Sequence, residues 1–299
     1  MLISIIIPVR DDVRVRQCIE TILKQTLKKE LFEIIVVDNA SKRIDIAALL
    51  RDLPITLLHE NQPGMSKAVN LGLKYAKGNF LVRIDADCMA TTNWLKELLV
   101  PFDEPAVGIV GGAIYNVPGR NIVEIGARAL VIGNQLEPQY LPMFEAPYVV
   151  TANSAYRTDV VRQIGGFDET FVSGSDVDIS WQCFLAGYQL RIAPQAVVYH
   201  YSRSTVRKYF LQFYRYGLGH AQLYKKYRTI TGSKFLLNSY PFKGLARLLS
   251  FELLGIFRLI SNPQKLRVYC IRLLLDFAEY SALICGDLVG AIRYRIPYL

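Results

Sequence analysis

The stretch Phe80-Leu81-Val82-Arg83-Ile84-Asp85-Ala86-Asp87 constrains this chain more than any other. An apolar run of β-forming residues breaks into two carboxylates one residue apart, and a packed core accepts neither charge unpaired. The acids therefore face water or a cation at the end of a strand. In extended backbone, residues two apart point the same way, so Asp85 and Asp87 are expected to converge on one ligand. A hard divalent ion, Mg²⁺ or Mn²⁺, suits such a pair, because it takes few protein oxygens and completes its shell with water and substrate phosphates. A lone Asp-x-Asp also fits a solvated strand-to-loop junction, so the other motifs must decide.

Ahead of that strand the pattern repeats. Ile3 to Val9 is a continuous apolar run, which suits a parallel strand buried on both faces. A helix follows, with Val15, Cys18, Ile19, Ile22 and Leu23 at helical spacing and Asp11 and Asp12 placed to cap it. Glu33 to Val37 makes a second strand ending in Asp38-Asn39-Ala40-Ser41, and Ile55 to His59 a third. Pro63-Gly64 then opens a helix from Met65 to Lys77 that Gly78 ends. Alternation at this spacing implies a parallel sheet with right-handed crossovers, whose ligands sit beyond the strands' carboxyl ends. Pro8-Val9-Arg10, Asp38-Asn39 and Asp85-Ala86-Asp87 share that rim. No Walker loop or Gly-x-Gly-x-x-Gly turn is present, which disfavours those nucleotide folds.

In their order these residues resemble the family 2 glycosyltransferases of GT-A fold. The similarity runs from Ile5-Ile6-Ile7-Pro8-Val9 through Val36 to Ser41, Asn61 to Gly72, and Asp85-Ala86-Asp87. It continues through Thr151-Ala152-Asn153-Ser154-Ala155-Tyr156-Arg157 and Gly165-Gly166-Phe167-Asp168-Glu169 to Gly174-Ser175-Asp176-Val177-Asp178, covering roughly residues 1 to 205. The resemblance implies an α/β/α sandwich with a nucleotide-sugar half (1–100) and an acceptor and catalytic half (101–205).

It also implies roles. Asp38 and Asn39 would meet the donor's base beside the segment from Pro8 through Arg10 to Asp12, where a turn-capping Asp38 is the plain alternative. Lys67 would reach the diphosphate from its helix start, unless it is simply a solvated lysine. Asp85 and Asp87, with His200, would hold Mn²⁺ or Mg²⁺ as Lewis acid, and Asp85 would also meet the donor. Asp176 would be the base that takes the acceptor's proton in an inverting transfer. Relatives usually carry Glu-Asp where this chain has Ser175-Asp176, which leaves the base in place and alters its surroundings. Asp178 would cap a helix from Ile179 to Ala186, Trp181 and Asn153 would line the acceptor pocket, and Arg203 would contact phosphate.

The last third differs in kind. Of the net charge of +9, residues 1–200 contribute −3 and residues 201–299 contribute +12. From Arg207 to Arg228 cations interleave with Tyr209, Phe210, Phe213, Tyr214, Tyr216, Tyr224 and Tyr227, a mixture suited to an anionic lipid surface and, with no RNA-binding signature, less to RNA. Leu245 to Ile260 is apolar but interrupted by charges. Val268 to Ile292 is long enough to span a bilayer, yet Arg272, Asp276, Glu279 and Asp287 cluster on one helical face. The expectation for 206–299 is a basic, aromatic-rich helical extension lying in the membrane interface or packing on a partner, homo-oligomers included, with an ordinary helical bundle as the plain alternative. A mean hydropathy of +0.21 and hydrophobic content of 52% agree with some apolar surface meeting such a partner. Five scattered cysteines without a Cys-x-x-Cys pair read as reduced thiols, and Met1 to Val9 reads as a strand, not a signal peptide.

The expectation is thus a metal-dependent inverting glycosyltransferase at the cytoplasmic face of the membrane. It would move a sugar from a UDP- or GDP-sugar to a hydroxyl of a glycan or lipid-linked acceptor. A nucleotidyltransferase and a catalytically degenerate membrane scaffold are the rivals.

Overall fold

The computed structural model describes residues 2–127, 135–141, 144–231, 239–250 and 262–297. Its frame is an eight-stranded sheet in the order β3-β2-β1-β4-β9-β6-β10-β5. The strands β1 (Ile3–Val9), β2 (Phe32–Asn39), β3 (Thr56–Glu60) and β4 (Phe80–Ile84) run parallel, as the alternating pattern requires. Beyond β4, where the alternating pattern ends, the sheet is mixed. The strand β9 (Asn153–Arg157) lies antiparallel between β4 and β6 (Val107–Asn116), and β5 (Cys88–Ala90) pairs antiparallel with the end of β10 (Gln189–His200).

Helices cover both faces. Along β1, Ile3, Ile5, Ile7 and Val9 pack under α1 (Arg14–Ile22), α2 (Ile46–Leu50) and α4 (Trp94–Leu99). Ile6 points the other way, into the core beneath α3 (Met65–Tyr75), α6 (Thr158–Gln163) and α7 (Ser175–Leu185). A strand with no polar side is the direct result. Two local expectations change. Helix α3 stops at Tyr75, and Gly78 is needed for a different reason: a Cβ there would lie 2.5 Å from the Ser4 amide nitrogen of β1. Asp12 does meet the start of α1, accepting from the Arg14 N–H at 3.0 Å, whereas Asp11 turns away at φ 51° and binds the backbone N–H groups of Lys42 and Arg43 at 2.9 and 2.6 Å.

The last third folds onto the sandwich. Helix α8 (Val206–Thr231) is separated from β10 by five residues and packs against α10 (Pro263–Tyr294), with α9 (Ser239–Ser250) beside α10. A short α5 (Ile122–Ala127) also meets α10, and β7 (Gln139–Leu141) and β8 (Phe144–Tyr148) form a separate hairpin near α7. The α8–α10 crossing is made by glycines: a Cβ on Gly217 would sit 2.6 Å from the Leu283 carbonyl oxygen, and one on Gly286 would strike the Tyr214 carbonyl. Tyr209, Phe213, Tyr224 and Tyr227 are buried in these contacts, so the expectation that they lie among lipid headgroups is overturned. Among the described residues no helix is long and apolar enough to cross a membrane. The Leu245–Ile260 expectation falls from 251 onward outside the described residues.

Candidate active site

Strand β4 ends at Ile84, and Asp85-Ala86-Asp87 is a tight turn closed by the Cys88 N–H donating to the Asp85 carbonyl at 3.0 Å. The extended backbone assumed for the two acids is therefore absent, and they part company. Asp85 is half-buried and paired with Arg83, itself 2% exposed. Asp87 turns into a buried cluster because β5 returns alongside β10 with Cys88 opposite His200. Its carboxylate lies 3.4 Å from His200 Nε2, 3.3 Å from Arg14 and 3.2 Å from Arg203. Burial opposes ionisation of Asp87, but His200, Arg203 and Arg14 outweigh it and hold its carboxyl well below the usual carboxylate range.

The ligand atoms of Asp87, Cys88 and His200 lie within 4.8 Å of one another, and Asp85 is not part of that group. His200 Nδ1 is buried and meets no hydrogen-bond partner, which leaves room in the bonding pattern for a ligand of this cluster. Carboxylate oxygen with imidazole nitrogen fits Mn²⁺ or a similarly hard ion. Cys88 fits it poorly: burial pushes its thiol well up, so it stays protonated.

Asp176 faces Asp85 across one cavity of about 280 Å³, shared with Arg83, His200 and Arg203. It lies in the first turn of α7, which begins four residues before the sequence pattern implied, behind Gly174 at φ 84°. A helix amino end favours a carboxylate. Desolvation nevertheless dominates and raises the Asp176 pKa against the bonds from Val177 N–H and the charge of Arg83, with nearby Asp85 adding to the rise. A carboxylate so placed is a stronger base than a solvated one. Asp178, expected as a helix cap, sits inside α7, fully buried, bonded to Tyr227 Oη, Lys226 Nζ and Gln182 Nε2, each at 2.7 Å.

Two expected acceptor contacts are corrected. Trp181 is completely buried, its Nε1 donating to the Ala146 carbonyl at 3.0 Å and its ring packed edge-on against Phe144 and Tyr227. Asn153 is also fully buried: its Nδ2 donates to the carbonyls of Ala113 and Ala196, and its Oδ1 accepts from Trp94 Nε1 at 2.7 Å. Both are pins of the core. Asn39 likewise uses both ends of its amide on the next loop, accepting from Gly64 N–H and donating to the Gln62 carbonyl, and so is a positioner rather than a ligand contact. Pro8, Arg10, Asp12, Asp38 and Lys67 lie at the same rim but do not line the cavity. Arg10 is exposed, Asp12 is paired with Arg14, Asp38 accepts from Ser41 N–H at 3.1 Å and faces His59, and Lys67 Nζ meets Gln62.

The opposite wall comes from α8, where Gln212, Tyr216 and His220 recur every four residues on one face. Arg203 Nε donates to Gln212 Oε1 at 3.0 Å and Gln212 Nε2 to Tyr216 Oη at 2.7 Å, so a hydrogen-bonded chain links Asp87 to this wall. His220 turns its buried Nδ1 toward Asp287 of α10, 3.7 Å away. These residues were not singled out from sequence as cavity lining. Only Arg83, a cation inside an apolar strand, carried a signal that could have been read.

The fold is that of the GT-A glycosyltransferases. It matches the mannosyltransferase PcManGT of Pyrobaculum calidifontis, solved with GDP-mannose and Mn²⁺, at a TM-score of 0.64 and 19% identity, covering 96% of this chain and 86% of that one. The model of glycosyl transferase family 2 matches residues 4–165, and the chain belongs to that family. A pre-mycofactocin glycosyltransferase of Mycobacterium tuberculosis is 32% identical over 223 residues, 72% of this chain and 46% of that protein, so the chain spans about half the length of this relative. A Methanococcus voltae dolichyl N-acetyl-alpha-D-glucosaminyl phosphate 3-beta-D-2,3-diacetamido-2,3-dideoxy-beta-D-glucuronosyltransferase is 26% identical over 271 residues, 85% of this chain and 82% of that one.

Proposed function

We propose that this chain transfers a sugar from a UDP- or GDP-linked donor to a hydroxyl of a glycan or lipid-linked acceptor, with inversion, at the cytoplasmic membrane face. The observation that carries the reading is Asp176, a carboxylate of raised pKa sharing one cavity with the rim acid Asp85 and with His200. The acceptor oxygen bonds to the anomeric carbon as the bond from that carbon to the diphosphate breaks, and Asp176 takes the hydroxyl proton. Residues 1–100 serve the donor and 101–205 the acceptor and the base, with α8 closing the acceptor side. Arg14 and Arg203, clustered on Asp87, are placed to balance the charge of a diphosphate.

Asp87 and His200 would hold Mn²⁺ or Mg²⁺, with Asp85 approaching from the cavity side. Such an ion supplies Lewis-acid stabilisation of the departing diphosphate. The Mn²⁺ and GDP-mannose of the Pyrobaculum structure and the lipid phosphate in the Methanococcus relative's name support ion, donor and acceptor classes by similarity.

A thermal-shift panel of UDP- and GDP-sugars with and without Mn²⁺, followed by product analysis, tests the reading. A donor that stabilises the chain with the ion, and whose turnover releases nucleoside diphosphate, supports it. Release of pyrophosphate would instead mark a nucleotidyltransferase, and no turnover with any donor a degenerate scaffold.

A further inference from the structure

Helix α10 buries its acids beside Leu275, Ala282 and Leu283 and leaves large apolar residues outside. A surface helix normally turns apolar residues inward and charges to water. Here Asp276, Glu279 and Asp287 are 5%, 4% and 2% exposed, whereas Leu274, Phe277, Leu288 and Ile292 are 48%, 48%, 41% and 77% exposed. Steps of three and four, bridged by half-buried Ser281 and exposed Cys285, place these apolar residues on one stripe. At 1.5 Å per residue the stripe is about 27 Å long. Every charge between Leu273 and Ile292 is an acid, and each is buried, so the stripe itself is uncharged. Exposed Arg272 stands at one end of it and exposed Arg293 and Arg295 at the other.

Neighbouring helices extend the pattern. Neither α8 nor α9 contains an acid and those of α10 are buried, so the outer surface of all three described helices presents cations and no exposed acid. We infer that the outer face of α10 docks in the plane of a bilayer carrying anionic lipid. The apolar stripe enters the acyl boundary and the flanking arginines meet headgroup phosphates, a combination that binds in plane without spanning. The charge pattern disfavours a second copy of this chain on the same face. Two such helices paired antiparallel would set Arg272 against Arg293 of the other copy, and paired in parallel would set like ends together.

Docking there has a consequence for the substrate, and that part rests on the function proposed above. α10 packs on α8 through Gly217, and α8 carries Gln212, Tyr216 and His220 into the cavity. Packed helices lie about 8–10 Å apart. The acceptor wall is thus one helix spacing from the docked helix, which suits an acceptor sugar still attached to its lipid.

Co-sedimentation of the full chain with vesicles tests the inference, using phosphatidylcholine alone and phosphatidylcholine with phosphatidylglycerol. We expect pelleting with the anionic vesicles, weakened by salt and reduced about tenfold or more by Phe277→Glu combined with Leu288→Glu. Tyr75→Ser, an equally exposed aromatic site on the head, should change nothing. Equal pelleting of the double variant overturns the inference, as does failure of the unaltered chain to bind anionic vesicles. So does a dimer in solution that the same substitutions dissociate. Melting temperatures of the same proteins with UDP or GDP and Mn²⁺ read the cavity separately. A chain that pellets but is stabilised by neither nucleotide counts against the proposed function and leaves the docking face standing; the reverse result removes docking alone.

Discussion

Asp87 at the sheet rim and Glu279 between the C-terminal helices are buried alike, 7% and 4% exposed, and are treated in opposite ways. Around Asp87 stand Arg14, Arg203 and His200, and together they drive its pKa down against the opposing effect of burial. Glu279 instead accepts hydroxyls from Tyr209 at 2.8 Å and Tyr240 at 2.9 Å, and desolvation drives its pKa up despite those bonds. The first arrangement keeps a charged site at the rim, where the proposed function puts a diphosphate and its ion. The second ties helices together with a carboxyl that gains little from being charged. Burial of an acid by itself therefore says nothing about function, whereas its neighbours do.

The largest test of this contrast lies beside the rim. Asp176→Asn should lower turnover about 10²- to 10⁴-fold while leaving nucleotide-induced stabilisation in place. Because the Asp176 pKa is raised, the base is lost by protonation sooner than for a solvated aspartate, so the acid limb of kcat/KM should sit above the ordinary value of 3.8 and vanish in the variant. An unchanged rate would remove Asp176 from the chemistry. Next in size, Asp87→Ala removes the buried carboxylate that Arg14, Arg203 and His200 share and should destabilise the fold by about 3–5 kcal/mol in urea titration, partly restored by an added polyanion such as pyrophosphate. Gly217→Ala pushes a methyl against the α10 backbone and should cost about 1–3 kcal/mol. Smallest is Glu279→Gln, which keeps an acceptor for one tyrosine and offers the other an amide donor that its hydroxyl can accept, and should alter stability by less than about 1 kcal/mol at pH 7. A folded-state pKa raised above the ordinary 4.5 contributes stability at low pH that is lost as pH rises through it, so the unaltered chain should gain on this variant as the solution is acidified. If Glu279→Gln were as damaging as Asp87→Ala, the contrast would fail.

Much of the head was legible because both faces of its first strands are covered, so Ile3–Val9 and Phe32–Asn39 read as unbroken apolar runs whose polar ends mark the rim. The ordered motifs also brought Asp176 and His200 to one cavity. The parallel pattern stops short of β9, whose antiparallel insertion between β4 and β6 carries Asn153 inward to where Gly112 lacks a side chain. No local pattern distinguishes that asparagine from a ligand contact. The aromatics of α8 misled for a related reason. Tyrosines spaced along a basic helix suit headgroups or a second helix equally, and only the glycine crossing with α10, a contact some seventy residues distant in sequence, selects the helix.

Arg203 touches Asp87 with one nitrogen and Gln212 with another, and this double grip joins the two sides of the cavity. Under the proposed function, a donor that draws Arg203 toward its phosphates must release or drag Gln212, and an acceptor that reorders Gln212 and Tyr216 must act back on Arg203. The affinities of the two substrates are then reciprocal, each altering the other by the same factor whichever arrives first. Under the proposed function, specificity for the sugar and specificity for the acceptor would be one coupled property of this chain.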